Sequence, residues 1–173
     1  VKIFYFIFFI FISACSGKMK VEDFRDKKPE FILEEYFSGN VKAWGLFHDR
    51  FGNLKRSFQV EINGKINDDE LILDEKFLYD DGEKDRRVWT IKILDNGNYS
   101  GTADDVIGKA TGKASGNALN WSYKLNLKLN DSSINVDFDD WMFLQDNNIL
   151  INRAEVKKWG LKVGVVTITF LKL

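Results

Sequence analysis

The sequence predicts an all-β fold: an antiparallel up-and-down β-barrel of about eight to ten strands with a short helix before the first. Three observations carry that expectation. Apolar and polar residues alternate with a spacing of two in segment after segment. Turn-forming residues fall between those segments, and the single proline, Pro29, precedes all of them. A strand with one face on a core sends every second side chain inward, and strands paired on both sides leave no place for proline. A β-sandwich answers the same pattern and stands as the alternative.

The first fourteen residues carry an apolar run, Ile3–Ile12, that ends well before the charged Lys18. A membrane-spanning helix needs about 20 apolar residues, so the run matches the core of a secretory signal. Small residues follow at Ser13 and Ala14, then the only cysteine, Cys15. The expected layout is a signal peptide over residues 1–14, a tether over 15–28 and one β-barrel domain over 29–173. Ser16–Lys28 is polar and charged, as a tether would be. Pro29–Tyr36 suits a short helix with proline in its first turn.

Strand patterns fill the remainder. Phe58, Val60, Ile62 and Ile66 share one face, opposite Gln59, Glu61, Asn63 and Lys65. Leu71, Leu73, Phe77 and Tyr79 align with Glu75, and Trp89, Ile91 and Ile93 align with Arg87. Trp121, Tyr123, Leu125, Leu127 and Leu129 form a further inward row. Val163–Leu171 is apolar on both faces, which predicts a strand covered on both sides. Between these runs lie Gly52-Asn53, Asp80-Asp81-Gly82, Asp95-Asn96-Gly97, Asn130-Asp131, Asp146-Asn147-Asn148 and Trp159-Gly160, short connections of the kind that join antiparallel neighbours.

Composition bounds the rest. Hydrophobic residues make up 45% and aromatics 14%, enough for one well-filled core. Lys and Arg number 25 against 26 Asp and Glu, without the basic stripe expected of a nucleic-acid binder. With Cys15 removed from the count, the domain has no cysteine left for a disulfide.

Ile12-Ser13-Ala14-Cys15 resembles the lipobox of bacterial lipoproteins. That resemblance implies a diacylglyceryl thioether on Cys15, fatty acyl chains such as palmitate, and attachment to a membrane. Ser16, in place of the aspartate of an inner-membrane retention signal, points to the periplasmic face of the outer membrane. Across Ala43-Trp44-Gly45, Phe77–Glu83, Arg87-Val88-Trp89, Tyr99-Ser100-Gly101, Gly116-Asn117-Ala118, Asp139–Met142, Asn152-Arg153-Ala154 and Lys158-Trp159-Gly160, the chain resembles an uncharacterised family of proteobacterial lipoproteins, domain of unknown function 3833. The family implies an envelope lipoprotein and brings no catalytic residues with it. In architecture the chain is similar to lipocalin-like barrels, with the short helix closing one end.

Within such a barrel, charged residues on an apolar face must be paired, reached by water, or serve a ligand. Arg87, Trp89, Trp121, Tyr123, Asp139 and Trp141 are therefore the candidate ligand-binding residues. His48 has no nucleophile beside it, and the acidic pairs Asp68-Asp69, Asp80-Asp81 and Asp104-Asp105 lack the spacing of a calcium loop. They read as turns. No catalytic residue, metal or cofactor is expected. Gly108, Gly112 and Gly116 fit no phosphate-binding loop and read as places of close backbone approach.

The expected function is a binding module anchored through Cys15, taking an apolar ligand such as a fatty acid or membrane lipid. A packed barrel acting through an unidentified protein partner is the alternative. A lipid-modifying enzyme using Asp139 and Arg153 comes last.

Overall fold

The first and last strands pair with one another, so the sheet has no edge. The computed structural model describes residues 18–129 and 132–173. The elements are a short helix α1 (Leu33–Phe37) and ten strands: β1 (Gly39–Asp49), β2 (Leu54–Asn67), β3 (Glu70–Tyr79), β4 (Lys84–Ile93), β5 (Asn98–Thr102), β6 (Ala110–Ser115), β7 (Ala118–Leu129), β8 (Ser132–Leu144), β9 (Ile149–Lys158) and β10 (Leu161–Lys172). Each strand pairs antiparallel with its sequence neighbours, and β1 closes on β10 from Val41↔Lys172 to Asp49↔Gly164. The fold is thus the all-β closed barrel the alternation predicts, and closure removes the unpaired edges of an open sheet.

Turn chemistry sits where expected. In the β1–β2 hairpin the Asp49 carboxylate accepts the backbone N–H groups of Phe51 at 2.9 Å and Asn53 at 3.0 Å. Those bonds, led by the Asn53 side chain, push its pKa down to about 2. Asn96 takes positive φ at 59°, as its side chain tolerates.

The two ends of the barrel differ. At one end α1 forms a plug. Tyr36 donates its hydroxyl to the Asn148 carbonyl at 2.8 Å, Tyr99 donates to the Glu34 carboxylate at 2.8 Å, and Phe37 meets Phe170 edge-on at 5.5 Å. Gly64 is glycine because α1 lies against it: a Cβ there would stand 1.8 Å from the Phe37 carbonyl oxygen. The opposite end, framed by the β1–β2, β3–β4, β7–β8 and β9–β10 hairpins and the β5–β6 loop, is the mouth.

Three expectations need correction. The helix starts at Leu33, not at Pro29, because the preceding chain is held on the barrel by the Phe31 N–H donating to the Gly116 carbonyl at 2.7 Å. The described part of the tether is not a free polar linker. Residues Val21–Phe24 form a 3-10 turn on the barrel wall, with Val21 buried and Phe24 5.3 Å from Phe143 between ring centroids. Gly116 lies under it, where a Cβ would stand 1.7 Å from the Phe24 carbonyl oxygen. Third, β10 is not covered on both sides: Val166, Ile168 and Phe170 face inward, while Thr169 on the outer face is exposed. The signal segment and Cys15 lie outside the described residues.

Candidate functional site: an apolar cavity with a charged centre

Between the plug and the mouth lies a cavity of about 600 Å³. Its wall is built from the inward rows of nearly every long strand: Phe58 and Val60 from β2, Phe77 from β3, Leu125 from β7, Ile168 from β10. The cavity exists because the smallest inward residues face the largest. Gly101 and Gly112 carry Trp121 flat against the sheet, and a Cβ on Gly112 would stand 2.2 Å from that indole. Trp121 in turn meets Trp89 edge-on at 5.6 Å, and Trp89 meets Tyr123 at 5.4 Å. The aromatic rings line the wall instead of filling the centre.

Arg87 reaches into this apolar space from β4. Its Nε donates to the two Asp105 carboxylate oxygens at 3.1 and 3.0 Å and its Nη2 donates at 2.6 Å. Glu75 stands 4.0 Å from Nη1, and the Phe77 ring lies 5.5 Å from the guanidinium carbon. Burial works against the Arg87 charge, but Glu75 and Asp105 more than offset it, so the guanidinium is held more firmly protonated than usual. Asp105 comes from the β5–β6 loop, which pins its end of the wall to β4.

One guanidinium serves more than one acid. Burial pushes the Glu75 carboxyl up to about 7 against the pull of Arg87. Burial also pushes Asp140 up to about 8, helped by the like charge of Asp139 and opposed by Arg87 and Tyr123. Two polar side chains in the cavity wall lack protein partners: Asp140 through Oδ1, and Asn152 through both amide atoms. Asn152 is only 1% exposed and Asp140 7%. Buried polar atoms without partners are rare and costly in native proteins.

Cations ring the entrance. Lys55, Arg56 and Lys128 line the outer part of the cavity. Arg56 stacks on Tyr79 with its guanidinium carbon 3.5 Å from the ring centroid, and pairs with Asp81 at 3.2 Å and with Glu83.

Of the six candidate residues, Arg87, Trp89, Trp121 and Tyr123 line the cavity. Asp139 and Trp141 do not, and that expectation is corrected: both lie on the outer face of β8. Asp139 accepts from the Asn120 side chain at 2.8 Å, and Trp141 packs on Phe24 at 6.1 Å under the tether. Arg153 is likewise outside and exposed, 3.6 Å from Glu155. Within Asp139–Met142 the inward residues are Asp140 and Met142. The signal was present in Ile134, Val136 and Phe138, whose alternation continues into Asp140 and Met142. Asn152 appeared only within a stretch that matches the family and Asp105 only as half of an acidic turn pair, so neither was marked as a cavity residue.

The family model for "Protein of unknown function (DUF3833)" matches residues 9–172. The chain belongs to this family. No curated protein matches the chain. Among solved structures, a protein of unknown function from the DUF3598 family of Nostoc punctiforme is similar at TM-score 0.61 and 12% identity, over 85% of this chain. The match spans 51% of that longer protein. The S-type phycobiliprotein lyase CPES of Guillardia theta is similar at TM-score 0.56 and 9% identity, over 82% of this chain and 90% of the lyase. These likenesses establish the lipocalin-like barrel shared by DUF3833 and the lyase, and at such identities the fold alone.

Proposed function

We propose that this DUF3833 protein is a lipid-anchored binding protein whose barrel takes an apolar ligand, such as a fatty acid or membrane lipid, at the periplasmic face of the outer membrane. The observation that carries the reading is the cavity of about 600 Å³ with its aliphatic and aromatic wall. Ligand sites commonly occupy about 300–1,000 Å³ and combine an apolar wall with a few polar groups. A barrel filled by its own side chains would leave no such space.

The charge arrangement sets the ligand's direction. Glu75, Asp105 and Asp140 surround one inner guanidinium, so a ligand carboxylate entering head-first would meet more acid than base. At the mouth Lys55 is paired with Asp49 and Arg56 with Asp81 and Glu83, so Lys128 is the cation that suits an anionic headgroup, with the hydrocarbon chain inside. Acylation at Cys15 supplies the attachment, each buried methylene contributing about 0.8 kcal/mol.

Mass spectrometry of organic extracts from purified protein tests the binding reading. An acyl-chain compound in about equimolar amount is the expected result, and its absence from protein prepared without detergent counts against it. Labelled palmitate tests the anchor separately. Incorporation should occur in the parent chain and be lost in Cys15→Ser.

A further inference from the structure

At the mouth, two neighbouring hairpins expose apolar side chains that the fold does not use. Among the described residues, five large apolar side chains are more than half exposed. Four lie on these hairpins: Phe51 at 76% and Leu54 at 54% on β1–β2, Trp159 at 86% and Leu161 at 68% on β9–β10. The fifth, Leu173, is the last residue of the sequence. Because β1 pairs with β10 up to Asp49↔Gly164, the two tips stand side by side.

Each exposed aromatic carries a cation over its ring. The Arg50 guanidinium carbon lies 4.7 Å from the Phe51 centroid and the Lys158 ammonium 4.6 Å from Trp159. Neither cation makes an ion pair among the described residues, so both charges are available to an outside partner. Aromatic rings beside unpaired cations suit the boundary between hydrocarbon and anionic headgroups.

The backbone at Trp159 is a second, independent observation. Trp159 and Gly160 take φ of 52° and 78°, the two central positions of a mirror-image hairpin turn. Asn-Gly is the ordinary choice there, and a bulky residue at positive φ is strained. The side chain gains no burial in return. A strained and exposed tryptophan serves something outside the barrel.

We infer that this lip of the barrel docks on an anionic lipid bilayer, with Phe51 and Trp159 in the interfacial layer and Arg50 and Lys158 on its headgroups. The next hairpin, β3–β4, carries Asp80, Asp81 and Glu83, so the barrel rests on the β9–β10–β1–β2 side and tilts its acidic side away. The tether agrees with this orientation, on the reading of Cys15 as the acylated residue. Lys18 lies 4.0 Å from Asp139, which pairs with Glu155, four residues before Trp159. Four residues of strand span about 13 Å, and the three-residue step from Lys18 back to Cys15 reaches about 10 Å. An extended tether thus ends about 3 Å short of the lip, a gap that the cysteine side chain and its glyceryl group span, so the anchor and the lip can meet one membrane surface with the cavity mouth opening beside it.

The test uses the chain from residue 16 onward, which contains all ten strands and carries no acyl group, so its outcome is separate from that of the palmitate experiment. Binding is measured by co-sedimentation with vesicles of phosphatidylcholine containing about a quarter phosphatidylglycerol. Trp159→Asn should weaken association by about tenfold or more, while its melting temperature stays equal to or rises above the parent's, since asparagine accepts the backbone there. Phe51→Ser should also weaken it, and Asn96→Ser, at the plugged end, should leave it unchanged. Unchanged association in Trp159→Asn and Phe51→Ser, or a parent that fails to sediment with these vesicles, overturns the inference. A fall in melting temperature in Trp159→Asn also overturns it, because the tryptophan would then be serving the fold.

Discussion

Arg87→Met should destabilise the protein by about 3–5 kcal/mol, the usual cost of removing one partner from a buried charged network. The guanidinium holds Asp105 by bonds as short as 2.6 Å and stands 4.0 Å from Glu75. Methionine fills similar space, so the loss would report charge and not volume. Among the described residues Asp105 and Glu75 would then each lose their paired cation. Arg87→Met combined with Glu75→Gln and Asp105→Asn should recover most of the stability, because no unpaired charge remains. Denaturant unfolding of the single and triple variants measures the difference. Equal losses in both would show that Arg87 acts through packing.

Raising the pH from about 5 to about 8 should cost the fold a few kcal/mol through two groups. Glu75 moves from 4.5 when free to about 7 in the fold, and Asp140 from 3.8 to about 8. Below about 4 both are protonated in folded and unfolded chains, so their contribution is fully present. Between those limits the unfolded chain ionises while the folded one keeps its protons, so stability falls as pH rises. Above about 8 both states are ionised and this contribution is gone. Asp140→Asn should flatten the curve from about 4 to about 8, and Glu75→Gln only from about 4.5 to about 7. The groups that face Asp140 are Arg87 and Tyr123, which favour its ionisation, and Asp139 and Glu75, which oppose it. Melting temperatures across the pH series provide the check, and an Asp140→Asn curve parallel to the parent's would contradict the assignment.

Much of the barrel was legible because one rule, inward every second residue, governs each strand. It placed Glu75 with Leu73 and Phe77, and Arg87 with Trp89, inside the barrel, where the structure has them. The rule failed at Asp139–Met142, where either phase offers one acid and one apolar residue. Reading the phase from Trp141 chose the wrong one, because the tether covers the outer wall and gives that tryptophan apolar company through Phe24. Extending the run from Ile134 would have chosen correctly. The helix start was misread for a related reason. Proline favours a first helical turn, but the Phe31–Gly116 bond keeps the chain extended until Leu33. Such contacts join residues far apart in sequence, and no local pattern announces them. Asp105 belongs to the same class: it reads as half of a turn until folding sets it against Arg87.

The most direct measurement is titration of the detergent-free protein with a fluorescent fatty acid, beside a Val60→Trp variant that fills the cavity from β2. Saturable binding near one molecule per barrel in the parent, with loss of about tenfold or more in Val60→Trp at unchanged fold, is the expected result. Absence of saturation, or equal affinity in the filled variant, would contradict a ligand held inside the barrel.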